Sequence, residues 1–229
     1  GGTWVYLYQS TLDIFGGKIT GGKVTGKGGG GAIALDDSKC VLNIYGGEIS
    51  DNNGKNSGGA IFLNNKDKKG GTVNMYGGTI SGNSEYGGVF LVGTTNQTDP
   101  PSFTMHGGTI SNNNAYSGGG VCLLGKSGSA TTTFNMEGGV IQNCTTPNDL
   151  GGIAVGITSS GNTFNMTGGE IKNCETGGSG VIYASNATVH IGGNAKITNN
   201  KSGNGGAFYV KNDTRLTIDG NAVIEGNEG

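Results

Sequence analysis

The sequence predicts an all-β protein that winds as a parallel β-helix, a solenoid of stacked coils. Two observations lead to this prediction. A repeat of roughly 30 residues runs through the whole chain, and each repeat contains short β-branched segments separated by glycine pairs. With 50 glycines among 229 residues and 33% hydrophobic residues, the composition is unusual for a globular domain and typical of a repeat protein. We therefore expect a single solenoid domain over residues 1–229.

One isoleucine marks the same position in every repeat. A chain that returns to the same face once per repeat lays equivalent strands side by side and parallel. Connections between parallel strands are usually right-handed, so we expect a right-handed, single-stranded helix of about eight coils. The isoleucines are 26 to 31 residues apart, at Ile19, Ile49, Ile80, Ile110, Ile141, Ile171, Ile197 and Ile224.

Each repeat is predicted to hold three short strands. The first strand alternates, so its apolar side chains should point inward and stack on their copies in neighbouring coils. The second strand is little more than its isoleucine. The third strand is apolar on both faces, so we expect a loop or a partner to cover its outer side. The third-strand segments are 32–35, 60–63, 89–92, 121–124, 153–155, 181–183 and 207–210.

Glycine pairs and asparagines mark the predicted corners of the coil. A corner made in two residues needs positive φ or close approach of stacked backbones, which favours glycine. Asparagine recurs at one position after the isoleucine, where we expect each side chain to hydrogen-bond its copies above and below while tolerating the left-handed region. The residues of this ladder are Asn52, Asn83, Asn113, Asn200 and Asn227.

Cys144 and Cys174 occupy the ladder position in two adjacent coils. Their Cα atoms are expected about 4.8 Å apart, within the range that a disulfide spans. A disulfide is one interpretation of this pair, and two reduced thiols that fill an inner corner are the other. Cys40 and Cys122 lie at different repeat positions and are not expected to pair.

Aromatic residues provide the candidate binding sites. Tyr45, Tyr76 and His106 share one repeat position in successive coils, and we expect a flat stripe suited to stacking on sugars or to packing against a partner. A purely structural role is the alternative. The outer side of the third strand offers a second set, at Phe62, Leu91, Leu123, Tyr183 and Tyr209.

Acidic and histidine side chains give no pattern typical of catalysis. Asp36, Asp37 and residues 64–67 follow the third strand in successive coils, so their oxygens are candidate calcium ligands, with a solvated turn as the alternative. His106 and His190 are the only histidines and lie at different repeat positions. We therefore expect no catalytic residue, no cofactor and no metal site apart from this calcium candidate.

The charge of the chain excludes two classes of partner. A net charge of −2, with Arg215 as the only arginine, provides no footprint for nucleic acid or for an anionic membrane. No stretch approaches the roughly 18 apolar residues that a membrane-spanning helix needs, so membrane insertion is not expected. The first residues already resemble the middle of a repeat. We expect a monomeric fragment of a longer chain.

The motifs GGAI at 58–61, GGAF at 205–208 and FNMEGG at 134–139 resemble known repeats. They are similar to the pectate-lyase-like right-handed β-helix repeats of large bacterial and archaeal surface proteins, adhesin-like proteins among them. The resemblance covers essentially the whole chain and concerns the residues that build coils. It implies an extracellular or cell-surface, non-catalytic module that adheres to a glycan or to a host or partner protein.

Two alternatives to adhesion follow from the same resemblance. One is a spacer, a rod that holds another domain away from the cell surface. The other is an enzyme, because polysaccharide lyases and hydrolases share this fold and use calcium-binding aspartates with a basic residue, or a cluster of aspartates. Here Arg215 lies in the last coil, and Asp213 and Asp219 make no such cluster, so we do not expect an enzyme.

Overall fold

Equivalent segments of successive repeats pair as parallel strands in the computed structural model. It describes residues 3–24, 30–37, 39–55, 57–64, 69–125, 130–146, 152, 154–158 and 161–229. Within these residues the strands form three sheets of eight strands and one sheet of four, and they include no helix that could span a membrane. The predicted all-β parallel β-helix is confirmed, with about seven turns joining its eight-stranded sheets.

Sheets 1 and 2 hold the first and second strands of the predicted repeat. Sheet 1 contains Thr11–Ile14, Val41–Ile44, Thr72–Met75, Ser102–Met105, Thr133–Met136, Thr163–Met166, Thr188–Ile191 and Arg215–Ile218. Sheet 2 contains Lys18–Thr20, Glu48–Ser50, Thr79–Ser81, Thr109–Ser111, Val140–Gln142, Glu170–Lys172, Lys196–Thr198 and Val223–Glu225. The isoleucine of each repeat is the middle residue of its sheet 2 strand.

Sheets 3 and 4 complete the coil. Sheet 3 is the predicted third strand. Its strands begin up to two residues and end up to three residues later than expected, and residue 153 lies outside the described part of the chain. It contains Val5–Leu7, Ile33–Leu35, Ile61–Leu63, Val89–Gly93, Val121–Gly125, Val155–Thr158, Ile182–Ser185 and Phe208–Lys211. Sheet 4 was not predicted. It lies between the second and third strands and contains Ser84–Glu85, Asn114–Ala115, Thr145–Thr146 and Glu175–Thr176.

The core consists of like residues stacked on like. Phe103, Phe134 and Phe164 are aligned in sheet 1, are fully buried, and stack their rings with centroids 4.9 and 5.0 Å apart. Methionines two residues further along each strand form a parallel column. Burying each such side chain contributes roughly 1.5–3 kcal/mol. In the last coil Ile218 is exposed, since it has a stacked neighbour on one side.

Sheet 3 is apolar on both faces, as predicted, but two residues point the other way from expectation. Leu91 and Leu123 face the interior and are fully buried there. The outer side instead carries Phe90 and Cys122, which pack with Phe62 in a second, outer apolar cluster. The error has a simple cause, because a strand that is apolar on both faces shows no alternation from which its inward residues can be assigned.

Glycine pairs build the corner between sheets 1 and 2. At Gly77 a Cβ atom would lie 2.5 Å from the Tyr45 carbonyl oxygen of the preceding coil. At Gly78 φ is +79°, and a Cβ atom would lie 2.9 Å from the Gly47 oxygen. Side chains are therefore excluded both by the close approach of stacked backbones and by the left-handed conformation.

The asparagine ladder forms at the next corner, as predicted. Asn83 Oδ1 accepts hydrogen bonds from the backbone and side-chain nitrogens of Asn52, both at 3.0 Å. Its Nδ2 donates to Asn113 Oδ1 at 3.0 Å and to the Ile49 carbonyl at 3.2 Å. Asn52, Asn83 and Asn113 are buried. Each amide thus satisfies backbone groups of the neighbouring coil that no strand pairing reaches.

The left-handed residue at this corner is the one before the ladder asparagine, rather than the ladder asparagine itself. Asp51 has φ of 56°, Asn112 of 54° and Asn199 of 54°. These residues precede Asn52, Asn113 and Asn200. Two consecutive polar residues therefore have different roles at the corner. The first adopts the left-handed conformation that turns the chain, and the second points inward and hydrogen-bonds to its copies.

We predict that Asn83→Ala destabilises the rod strongly. The substitution leaves the buried backbone nitrogen of Asn52 and the Ile49 carbonyl without this side-chain partner, and each such group costs about 1–3 kcal/mol. The free energy of unfolding measured by urea denaturation should fall by about 3 kcal/mol. Asn74→Ala, on the outer side of sheet 1, is the matched control and should change it by less than about 1 kcal/mol. Equal effects in both variants would contradict a structural role for the ladder.

Candidate functional site

The predicted stripe is a continuous row of stacked rings, the aromatic row, which begins one coil earlier than expected. Phe15 stacks on Tyr45, with ring centroids 4.9 Å apart and planes 7° from parallel. Tyr45 and Tyr76 are 5.0 Å apart at 6°, and Tyr76 and His106 are 4.7 Å apart at 9°. Phe15 was missed although it precedes a glycine pair as Tyr45 does. The row ends at Glu137, whose Oε2 lies 2.7 Å from His106 Nδ1.

The stacking of the rings determines which of their surfaces a ligand can contact. Neighbouring rings cover one another's faces, so the inner rings present edges and hydroxyl groups to solvent. A sugar that packs its C–H face on an aromatic ring needs an open ring face. Binding by Tyr45, Tyr76 and His106 stays a prediction, which the geometry limits to contacts with ring edges and polar tips.

Tyr183 and Tyr209 lie on the outer side of sheet 3, as expected. Their rings are stacked, with centroids 5.8 Å apart and planes 9° from parallel. Lys211 places its ammonium nitrogen 5.2 Å from the centre of the Tyr183 ring, a cation–π arrangement. Tyr209 is exposed and Tyr183 is half-buried. This pair offers one aromatic surface with a positive charge at its edge.

The outer side of sheet 3 changes character along the rod. One column of aligned residues runs Tyr6, Ala34, Phe62, Phe90, Cys122, Gly156, Tyr183 and Tyr209. Small residues therefore separate two aromatic pairs. At Gly156 the preceding chain crosses over the sheet, since a Cβ atom there would lie 2.7 Å from Ser117 Oγ. The same segment also covers Cys122, which is buried with its sulfur 3.9 Å from Ser117 Oγ.

A pocket of about 560 Å³ opens at this place, which we call the outer pocket. Its volume falls within the roughly 300–1,000 Å³ typical of small-molecule sites. Tyr86 stacks on Phe90 with centroids 5.0 Å apart, whereas Tyr116 is tilted by 47° to Tyr86 and is exposed. The residues lining the pocket are Lys55, Glu85, Tyr86, Tyr116, Ser117, Cys122, Leu124 and Thr158.

Tyr86 and Tyr116 were not among the predicted site residues. Both follow the short strands of sheet 4, and the Tyr116 nitrogen donates to the Glu85 carbonyl at 2.8 Å. Their shared position, just before the glycines that lead into sheet 3, was a signal in the repeat that could have identified them. Their surroundings could not be inferred in the same way, because the pocket also takes lining residues from other coils, such as Lys55 and Thr158.

The predicted cysteine pair sits in the asparagine ladder. Cys144 and Cys174 are buried free thiols in the structure, and their disulfide stays a prediction. A hydrogen bond between the two sulfurs lowers the pKa of Cys144 and raises that of Cys174, and burial raises the pKa of Cys174 further. Cys144 also receives hydrogen bonds from the backbone and side chain of Asn113. The sulfur thus replaces the amide oxygen of a ladder asparagine.

We predict that Cys144→Asn/Cys174→Asn stabilises the protein under reducing conditions. The double variant makes the ladder continuous from Asn52 to Asn227 and replaces weak sulfur acceptors by amide oxygens. Two improved hydrogen bonds should raise the free energy of unfolding by about 1–2 kcal/mol, measured by urea denaturation. Cys144→Ser/Cys174→Ser, which removes the thiols without adding an amide, is the control. An asparagine variant no more stable than the serine variant would refute the explanation.

The calcium candidate is built differently from either interpretation. Asp36 is buried, so the turn is not solvated there. Its carboxylate accepts hydrogen bonds from the Tyr6 hydroxyl of the preceding coil and from Asn64 Nδ2 of the following coil, the latter at 2.7 Å. Asp36 therefore ties three coils together. This bond to the carboxylate raises the pKa of Tyr6 to about 12.

Asp37 is also buried and hydrogen-bonded. Its oxygens accept from Gln9 Nε2 at 3.1 Å and from the Lys39 backbone nitrogen at 3.3 Å. Residues 65–67, the remainder of the candidate, lie outside the described residues. In the part of the chain that is described, no three His, Cys, Asp or Glu side chains converge as metal ligands. The contacts of Asp36 and Asp37 are those of structural carboxylates.

We predict that the Tyr6 to Asp36 bond makes stability depend on pH above 10. The protonated phenol is the bonded form, and the folded-state pKa of about 12 exceeds the usual value near 10. Its stabilisation is therefore complete below pH 10 and is lost as pH rises through 12. The difference in melting temperature between the parent and Tyr6→Phe should be constant from pH 7 to 9 and shrink from pH 10 to 12. Tyr8→Phe is the control, and a difference independent of pH would argue against the bond.

Comparison with known proteins adds no relative: no family model, no curated protein and no solved structure matches the chain.

Proposed function

We propose that the chain is a non-catalytic recognition module of an extracellular or cell-surface protein and that it binds a glycan. The observation that carries this proposal is the outer pocket beside sheet 3, where the exposed Tyr116 lies among both polar and apolar lining residues. Aromatic side chains next to polar groups suit a ligand with apolar C–H faces and hydroxyl edges. The rigid stack beneath holds these groups in place without a ligand.

The proposed setting follows the sequence resemblance. We propose a right-handed helix, the usual hand of parallel strand connections, and a pectate-lyase-like, adhesin-like context on a bacterial or archaeal surface. We further propose that the module acts as a monomer. A low net charge of −2 supports a partner other than nucleic acid.

The placement of titratable groups supports a non-catalytic role. His106 pairs with Glu137 at 2.7 Å, and His190 pairs with Asp219 at 3.0 Å, on different coils. Each pair is exposed on the surface of the rod, away from the outer pocket. Acid–base catalysis of glycan cleavage needs two such groups on opposite sides of one bond, and neither pair supplies that arrangement.

A spacer is the second candidate function, and the aromatic row favours it. Phe15, Tyr45, Tyr76 and His106 use their ring faces for contacts between coils, as a purely structural rod would do. The two functions are compatible, because a rigid rod can both extend a surface protein and carry a binding site on one side.

We predict selective binding on a glycan array. The labelled protein should bind a restricted group of glycans, with and without a calcium chelator, and should release no product from them. Tyr45→Ala/Tyr76→Ala should keep the same glycan profile while its melting temperature falls, because the aromatic row stabilises the stack. Loss of binding in this variant would move the site to the row. A blank array for the parent would overturn glycan recognition and favour the spacer.

A further inference from the structure

Backbone strain is concentrated at the outer pocket. Eleven described residues other than glycine have positive φ, and eight of them are asparagine or aspartate, which tolerate that region. The three others are Gln9, Lys55 and Glu85, and the last two line the pocket. Glu85, with φ of 96°, lies outside the left-handed helical region. Residues held in such conformations cluster at ligand-binding sites.

The position of Glu85 in the repeat explains its strain. Glu85 is aligned with Ala115 of the next coil, and the two following coils place Thr146 and Thr176 at the equivalent position of sheet 4. Those three side chains are buried. A carboxylate at a buried position of this kind would lose its hydration. Glu85 is instead half-buried on the wall of the pocket, so its unusual φ accompanies a side chain directed away from the coil interior.

The walls of the pocket combine both signs of charge with an aromatic ring. Lys55 and Glu85 bring one positive and one negative group to the same pocket, and Tyr116 brings an exposed ring that is tilted away from its neighbour. Ser117 and Thr158 add hydroxyl groups. A hydroxyl-rich ligand satisfies such a site, because each hydroxyl both donates and accepts hydrogen bonds and therefore suits the ammonium and the carboxylate alike.

We propose that the outer pocket binds an uncharged sugar unit, packed against Tyr116 and hydrogen-bonded through its hydroxyls to Glu85 and Lys55. This inference rests on the proposed function and names its site and ligand class. An acidic sugar would meet the Glu85 carboxylate as well as the Lys55 ammonium, so repulsion from the first offsets attraction to the second. An apolar ligand would take water from the polar lining, which includes the Ser117 and Thr158 hydroxyls, without offering it a hydrogen bond. Neutral sugars avoid both penalties.

The test compares three pocket variants on an array of neutral, uronic-acid and sialic-acid oligosaccharides. Tyr116→Ala removes the ring, Glu85→Gln removes the charge at nearly constant size, and Thr158→Trp adds bulk to the pocket lining. Labelled protein is applied over a concentration series, so that an apparent Kd is obtained for each glycan. The matched control is Tyr209→Ala, which removes an exposed tyrosine from the same face of sheet 3. Circular dichroism melting verifies that each variant is folded.

The expected result is binding of neutral glycans by the parent and by Tyr209→Ala. Tyr116→Ala and Thr158→Trp should weaken it about tenfold or more, and Glu85→Gln should weaken it severalfold, because a charged acceptor forms the stronger hydrogen bond. Unchanged binding in the three folded pocket variants would overturn the pocket and leave the proposed function standing. A preference for acidic glycans would overturn the neutral-sugar assignment. A parent protein that binds no glycan would overturn both.

Discussion

In-register pairing between equivalent residues of successive coils is the constraint on which the rest of the structure depends. Each strand pairs with its own copy one repeat later, as Ile80 does with Ile110 and Ile110 with Ile141. Each side chain therefore packs against the equivalent side chains of the coils above and below. Phenylalanine stacks on phenylalanine and methionine follows methionine because a column of equal side chains fills a constant cross-section without gaps. The repeat in the sequence is the direct record of this pairing.

The same constraint determines how polar groups are buried. A corner breaks the strand pairing and leaves backbone N–H and C=O groups that need other partners. Asn52, Asn83 and Asn113 meet this need because the amide both donates and accepts, so each copy serves the next. Cys144 and Cys174 occupy two positions of the ladder in place of asparagine. A thiol fills a similar space and still accepts hydrogen bonds, although weakly. Asp36 solves a related problem once rather than in every coil, by joining three coils through one carboxylate.

Most of the fold followed from the sequence, and the exceptions have identifiable causes. The coils, the inward faces of the first strand, the ladder and the aromatic row were predicted because alternation and spacing report on them directly. Leu91 and Leu123 were placed on the wrong face because the third strand does not alternate. Sheet 4 was missed because a two-residue strand has no pattern of its own. The exposure of ring edges along the aromatic row was not predicted. It follows from the stacking of rings between coils, which sequence spacing alone does not describe.

A ligand-specific site in such a rod has to arise where the repeat is broken. A regular column offers the same surface at every coil, so it suits a repeating partner or none, whereas a defined ligand needs a place unlike its neighbours. The outer column supplies such a place at Cys122, which is aligned with Phe90 and has a much smaller side chain. Glu85 departs from the small neutral residues of its own column in the same region. Two independent departures from the repeat therefore meet at one pocket. They indicate a binding site better than the aromatic row does, because the stacking of coils already accounts for the regularity of the row.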